Sequence, residues 1–308
     1  MNLVNRYLSI ILRTKADSKI NQMNKIFIFF YIFLPVILNA QNDTLSISSR
    51  FGEFTDASSI TASRGEYIYV SDIGLNKIFK YNAEGKLLAE FGGTGIGRSG
   101  LNQPVSIDAT NGLDIFICDY LNNRIVRLDD KLNLISIFDF NSYNSGVQSS
   151  KKIYNPKSVT SISTGELLLL CEAGNFNAIR IREFSDINLY FGQFYDGIID
   201  PFKIVKGNSL DVWILEKSSN DLLNFNNLGI FVKRLKLPES LKPISIAYAE
   251  QYIVVLFNEK IMYYDIVKGV YTVVYYLPKL NFLTDVVLLD KETLFVLHKN
   301  EVLKFIIK

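Results

Sequence analysis

The sequence predicts an all-β protein, a six-bladed β-propeller, on three observations. A pattern of short strands recurs six times, turn residues stand between the strands at matching places, and an N-terminal strand without local partners can complete the last unit. The units run roughly 40 to 53 residues, the period of propeller blades. Composition agrees: 48% hydrophobic and 13% aromatic residues supply a core for 308 residues, and the abundance of Tyr and Phe favours pleated, half-buried surfaces.

In chain order, Met23-Asn24-Lys25, the 13-residue apolar run Ile26–Leu38 and Asn39-Ala40-Gln41 have the layout of a secretory signal peptide, expected to be cut after Ala40, with an uncleaved anchor as the competing reading. The run is short of the roughly 20 apolar residues that span a bilayer, so no membrane span is expected in the mature chain. Residues 1–22 read as an upstream extension, 23–40 as the signal and 41–308 as the propeller. An exported location follows: periplasm, cell surface or medium. Removing residues 1–40 takes away Arg6, Arg13, Lys15, Lys19, Lys25 and Asp17, and the formal charge falls from +2 to −2. No basic stripe that could neutralise phosphates remains, which argues against nucleic acid as a partner.

Leu45–Gly52 ends in Phe51-Gly52, as the fourth strands of units one and three end in Phe91-Gly92 and Phe191-Gly192. It is therefore expected to be the fourth strand of the last blade, pairing with Val302–Ile307 and removing an exposed sheet edge. Unit one follows, with strands at Ala57–Ile60, Glu66–Val70, Lys77–Tyr81 and Lys86–Phe91. Unit two, Leu101–Leu128, is the clearest copy. Pro104 opens Val105–Asp108, Asn111-Gly112 turns the chain, Ile115–Cys118 is apolar and ends at Asp119, and Asn122-Asn123-Arg124 leads into Ile125–Leu128. Unit three has Tyr154–Val159, Glu166–Cys171 with Glu172, and Ile179–Phe184. Unit four has Asp200–Ile204 and Val212–Glu216, and unit five Lys242–Ile246 and Tyr252–Phe257. Unit six has Thr284–Leu288, Thr293–Leu297 and Val302–Ile307. Pro at a first-strand position costs little, because that residue can lack a ladder donor.

The two cysteines, Cys118 and Cys171, end equivalent strands of neighbouring units, where side chains point the same way, so they are expected buried and unbridged.

Leu101–Leu128 resembles an NHL repeat, the six-bladed propeller family, through Pro104, Asp119 and Asn123-Arg124-Ile125. Unit one matches with Asp72, Asn76, Lys77 and Ile78; units three and four match in part and the last two weakly, with Phe257 and His298 at the acidic position. The resemblance implies a six-bladed propeller over about residues 45–308. A further resemblance, to lactonase propellers, implies a calcium ion beside the starts of innermost strands, where Asp56, Asp200 and Asp285 stand; the Glu-plus-two-Asn set it requires is not assembled from matching positions.

The candidate ligand-binding residues are the repeat series Asp72, Asp119, Glu172 and Glu216 with His298. Carboxylates at one repeat position could line one face of the disc and collect a cation. More often, an Asp at a strand end accepts hydrogen bonds from the backbone of the following loop, or pairs with a nearby Arg. His298, the single histidine, excludes multi-histidine metal sites but could serve as one general base. The glycine-rich Phe91–Leu101 joins two strands and opens no helix, so it reads as a flexible connection rather than a phosphate loop. With Asn141–Ile153 it could form a lip where partners bind. The reading favoured is a monomeric, non-catalytic module without a cofactor, binding protein, peptide or glycan on one face. The alternative is a lactonase- or lyase-like enzyme with calcium or His298 at the channel mouth.

Overall fold

The computed structural model describes residues 42–63, 67–163, 166–173, 176–192, 198–207 and 210–307, without the side chains of 42–43 and 168–177. Residues 1–40 lie outside them. So do the side chains of Cys171 and Glu172. Among the described residues no helix is long and apolar enough to cross a membrane.

Six antiparallel sheets follow one another along the chain, each a meander whose first strand is innermost. Blade one spans Ala57–Gly92, blade two Pro104–Asp139, blade three Ile153–Phe191, blade four Pro201–Lys236, blade five Pro243–Tyr276 and blade six Leu283–Ile306. Alternation along each strand buries side chains on both sheet faces, so the core is a series of apolar layers between neighbouring blades. One such layer packs Phe116, Cys118 and Ile125 of blade two on Val159, Ile179 and Ile181 of blade three. Cys118 is fully buried there.

The ring closes as the N-terminal pattern predicts. Ile47–Phe51 is the outer strand of blade six, with Ile47 opposite Phe305 and Phe51 opposite Val302. Phe51 then packs against Tyr81 of blade one, centroids 5.1 Å apart, and Phe295 of blade six, 5.9 Å. The preceding short strand, Asn42–Thr44, borders the outer strand of blade five, where the Leu45 N–H donates to Tyr276 O.

Two local expectations are adjusted. The turn at Asn111-Gly112 puts only Gly112 at positive φ, 77°, while Asn111 acts through its side chain, which accepts the N–H groups of Leu113 and Asp114, both at 2.9 Å. The third strand of blade three is Phe176–Arg182, not Ile179–Phe184, because Glu183 and Phe184 adopt positive φ, 52° and 51°, and form the turn.

Candidate functional site

In such a meander the first-strand starts and second-strand ends lie on one face of the disc, together with the connections between blades. The sequence candidates Asp72, Asp119, Glu216 and His298 all fall there. Their registers are equivalent: Ala57 opposite Asp72, Pro104 opposite Asp119, Pro201 opposite Glu216 and Leu283 opposite His298.

The carboxylates are occupied by their own loops. Asp72 accepts the N–H groups of Thr55 and Gly74, each at 2.7 Å, and of Asp56 and Leu75 at 3.0 and 3.1 Å. Glu216 accepts from Ile199 N at 2.8 Å, Asp200 N at 2.9 Å and the Ser218 hydroxyl at 2.6 Å. Asp119 accepts from Asn102 N and Arg124 Nε, each at 2.7 Å, and from Asn122 Nδ2 at 2.8 Å. Burial still pushes its carboxyl above the ordinary carboxylate range, the bonds from Asn102, Asn122 and Arg124 opposing the shift. Each carboxylate thus stitches an inter-blade connection to a second-strand turn. In blade three a register shift puts Glu172 opposite Tyr154, four places before Ser158, and its side chain is outside the described residues.

Arg124 carries the stitching further. Its guanidinium donates to Gly97 O at 3.0 Å and Gly100 O at 2.6 Å, so the glycine-rich connection is clasped rather than loose. A Cβ at Gly100 would stand 2.7 Å from the Gly95 carbonyl carbon, which is why this fold-back needs glycine. The second long connection is ordered too. Helix Phe140–Ser145 is capped by Asp139, and Asn144 pairs with both the N–H and the carbonyl of Ile153, at 2.8 and 2.6 Å.

His298 is held by a turn: Nδ1 accepts the Asn300 N–H at 3.1 Å, and the ring meets Phe282 edge-on at 6.4 Å. It lines neither mouth of the central channel. Asp56 pairs with Lys299 at 3.5 Å, away from the channel. Only Asp200 and Asp285 of the remaining candidates share a cavity. Among the described residues, no group of three or more His, Cys, Asp or Glu is placed to hold a metal.

That cavity is the channel mouth on the same face, about 280 Å³, walled by Val105, Tyr120, Asp200, Phe202 and Thr284. Phe202 is overlain by the Lys217 ammonium, 3.1 Å from the ring centroid, and burial lowers the Lys217 pKa against the opposing pull of Asp200 and Asp285. The floor is a ring with one residue from each blade, Ser59, Ser106, Ser158, Lys203, Ser245 and Asp285, at one register in five blades and displaced by a register shift in blade three, where Ser158 faces Leu170. Several side chains of this ring reach the next blade. The Ser106 hydroxyl accepts the Val159 N–H at 3.4 Å, and the Ser158 hydroxyl that of Ile204 at 3.2 Å. Asp285 accepts five donors: the Lys203 ammonium, the hydroxyls of Ser245 at 2.6 Å and Ser59 at 3.0 Å, and the N–H groups of Val286 at 2.8 Å and Ile60 at 3.0 Å. With an ammonium and four neutral donors on it, this carboxylate is a poor calcium ligand.

Beyond the ring the channel widens into an opposite mouth of about 520 Å³; Ser106 and Lys203 line both mouths, so the ion pair stands where they meet. Asp108 lies in the opposite mouth, bonded by Ser161 N at 2.9 Å and Thr110 Oγ1 at 2.9 Å. Burial pushes its carboxyl up to about 6.

No family model matches the sequence, and no curated protein does. The fold has solved counterparts. The chain is similar to virginiamycin B lyase from Staphylococcus aureus, with 18% identity over 84% of this chain and 99% of that one and a TM-score of 0.56. It is similar also to a streptogramin B lyase, with 15% identity over 84% and 87% and a TM-score of 0.55. A third likeness is the Cps50 (Swd1) β-propeller domain of Myceliophteria thermophila, with 11% identity over 82% and 83% and a TM-score of 0.54. At these identities the likeness is one of fold.

Of the ring residues sequence reading named only Asp285, and missed the other five. Their signal is a polar residue two places after the strand-opening position, as in Pro104-Val105-Ser106 and Pro243-Ile244-Ser245.

Proposed function

We propose that this propeller is a non-catalytic binding module, exported by the segment 23–40 and acting as a monomer. It presents the face of the inter-blade connections to a protein, peptide or glycan. One observation carries the reading: on that face Asp72, Asp119 and Glu216 are engaged by donors of their own loops while large apolar side chains are turned to water. Ile96, Leu121, Tyr154, Ile199, Phe202 and Phe282 are all exposed, and all lie in inter-blade connections, second-strand turns or first-strand starts. Exposed apolar side chains on a rigid frame with a polar surround are what a recognition surface offers. The clasped connection at Ile96 and the capped helix beside blade three pre-organise that surface, which lowers the ordering cost of binding.

The test is a screen of the purified chain against peptide and glycan arrays, repeated with a triple variant Ile96→Asp, Phe202→Asp, Phe282→Asp and with His298→Ala. Ligands retained by the chain and by His298→Ala but lost by the triple variant are the expected result. Turnover of a lactone or cyclic ester substrate that disappears with His298→Ala would replace this reading with the lactonase- or lyase-like one.

A further inference from the structure

In the opposite mouth of the channel a series of inter-blade hydrogen bonds is interrupted. The side chain two places after a floor residue receives an N–H that lies three places after the floor residue of the next blade. Thr61 Oγ1 accepts the Ala109 N–H at 3.3 Å in this way, and Asp108 accepts that of Ser161 at 2.9 Å. Thr160 of blade three and Lys206 of blade four are the next pair in the series, and no hydrogen bond joins them.

Three donors are left open at this gap. Thr160 is only 3% exposed and lines the mouth, and its hydroxyl has no partner among the described residues while staying open to the cavity. The Lys206 N–H also faces the channel: the Ile204 N–H, two places earlier in an unbroken register, points inward to Ser158 Oγ at 3.2 Å, and the direction of the N–H repeats every second residue. The Lys206 ammonium forms no ion pair among the described residues, and its charge is felt by Asp108 in the same mouth. Unmet buried donors are costly to a fold, and donors gathered on one gap match an anionic oxygen acceptor. Beside them Val205, Ala247 and Val287 make the wall apolar, and about 520 Å³ is room enough for a small ligand.

The other titratable groups of the mouth are Asp108, Lys203, Tyr248 and Glu250. Lys203 is spent on Asp285, Tyr248 Oη donates to the Glu250 carbonyl at 2.5 Å, and the Glu250 carboxylate pairs with Lys291 at 3.3 Å. Asp108 is the one negative charge left to oppose an anion, and burial already pushes its carboxyl up to about 6, so it takes up a proton readily.

We propose that the gap between Thr160 and Lys206 binds the carboxylate of a small organic acid whose apolar body lies against Val205, Ala247 and Val287. The carboxylate accepts from the Thr160 hydroxyl and from the N–H and ammonium of Lys206, and so completes the series that the chain itself leaves open. It can come from a free short-chain acid or from the C-terminus of a peptide, and the two share the chemistry.

The full chain is titrated, with NMR observation, with n-valerate and Nα-acetyl-norvaline as the two sources and with n-valeramide as the neutral counterpart. The carboxylates are expected to bind saturably and at least about tenfold more tightly than the amide, and the tighter of the two names the source served. Thr160→Val should weaken valerate by about tenfold without lowering the urea midpoint, because the hydroxyl has no bond to lose in the free chain. Lys206→Met should weaken it at least as much. Valerate affinity should rise from about pH 7.5 to about 5.5 as Asp108 takes its proton, and in Asp108→Asn it should be level across that window. Equal affinity for valerate and valeramide, or no saturable binding of either carboxylate, overturns the proposal. So does a Thr160→Val chain that loses stability and binds valerate unchanged. The comparison of acid with amide is made on the unaltered chain and does not depend on a variant's folding.

Discussion

Lys203 of blade four and Asp285 of blade six meet across the central channel, and the carboxylate that receives the ammonium also receives donors from blades one and five. One side chain therefore joins four of the six sheets at the axis. Removing one member of a buried ion pair strands its partner's charge. Asp285→Leu should lower the unfolding free energy by about 3–5 kcal/mol, and the double change Lys203→Met, Asp285→Leu should cost much less than the two single changes summed. Urea denaturation of the four proteins checks this, and strict additivity would show that the pair is not coupled.

Asp108 sets a pH dependence. Its folded value, about 6, lies above the ordinary 3.8, because burial outweighs the bonds from Ser161 and Thr110 and the charge of Lys206. Since the folded state holds the proton more tightly, this contribution is complete below about pH 4 and is lost as pH rises through about 6. Asp108→Asn should flatten the stability profile across that window by up to about 3 kcal/mol. Urea midpoints at a series of pH values, wild type against variant, measure it; parallel profiles contradict the assignment.

Arg124 should prove the keystone of the glycine-rich connection. Arg124→Met leaves the Asp119 carboxylate buried without its cation and removes the donors to Gly97 and Gly100. A loss of about 2–4 kcal/mol is expected, with new proteolytic cleavage between Thr94 and Gly100. Arg124→Lys should recover only part, because an ammonium cannot fork between the carboxylate and two carbonyls. Unchanged protease resistance in Arg124→Met would show that the connection holds its own shape.

Deleting residues 45–52 should expose the Val302–Phe305 edge and uncover Tyr81 and Phe295, against which Phe51 packs. Light scattering should then report particles rather than a monodisperse shorter protein. A monomer with an unchanged thermal midpoint would refute this.

The blades were readable because each repeats short-range signals: a strand opener, an apolar run, an acidic end, a turn. Closure was readable because Phe51-Gly52 carries the fourth-strand ending of units one and three. The channel floor was not, since the Lys203–Asp285 contact spans 82 positions and depends on which register faces the axis. Asp285 was grouped with Asp56 and Asp200, but it stands two places inside its strand opposite Leu297, whereas they precede theirs. Glycine content suggested a loose connection at Phe91–Leu101, because the clasp comes from a side chain of the following blade. The consecutive positive φ values at Glu183 and Phe184 have no local sequence signal at all.

The strand that closes the ring has a consequence for biosynthesis. Arg50 and Glu301 are bonded across 251 positions, so Ile47–Phe51 emerges from the ribosome long before Val302–Phe305 exists to receive it. At ordinary elongation rates that interval is on the order of ten seconds or more. Blades one to five can form their hairpins meanwhile from contacts close in sequence, but the closing strand must be kept from pairing elsewhere until the last segment arrives. Folding is therefore gated at its final step, because the ring cannot close until the strands of blade six have left the ribosome.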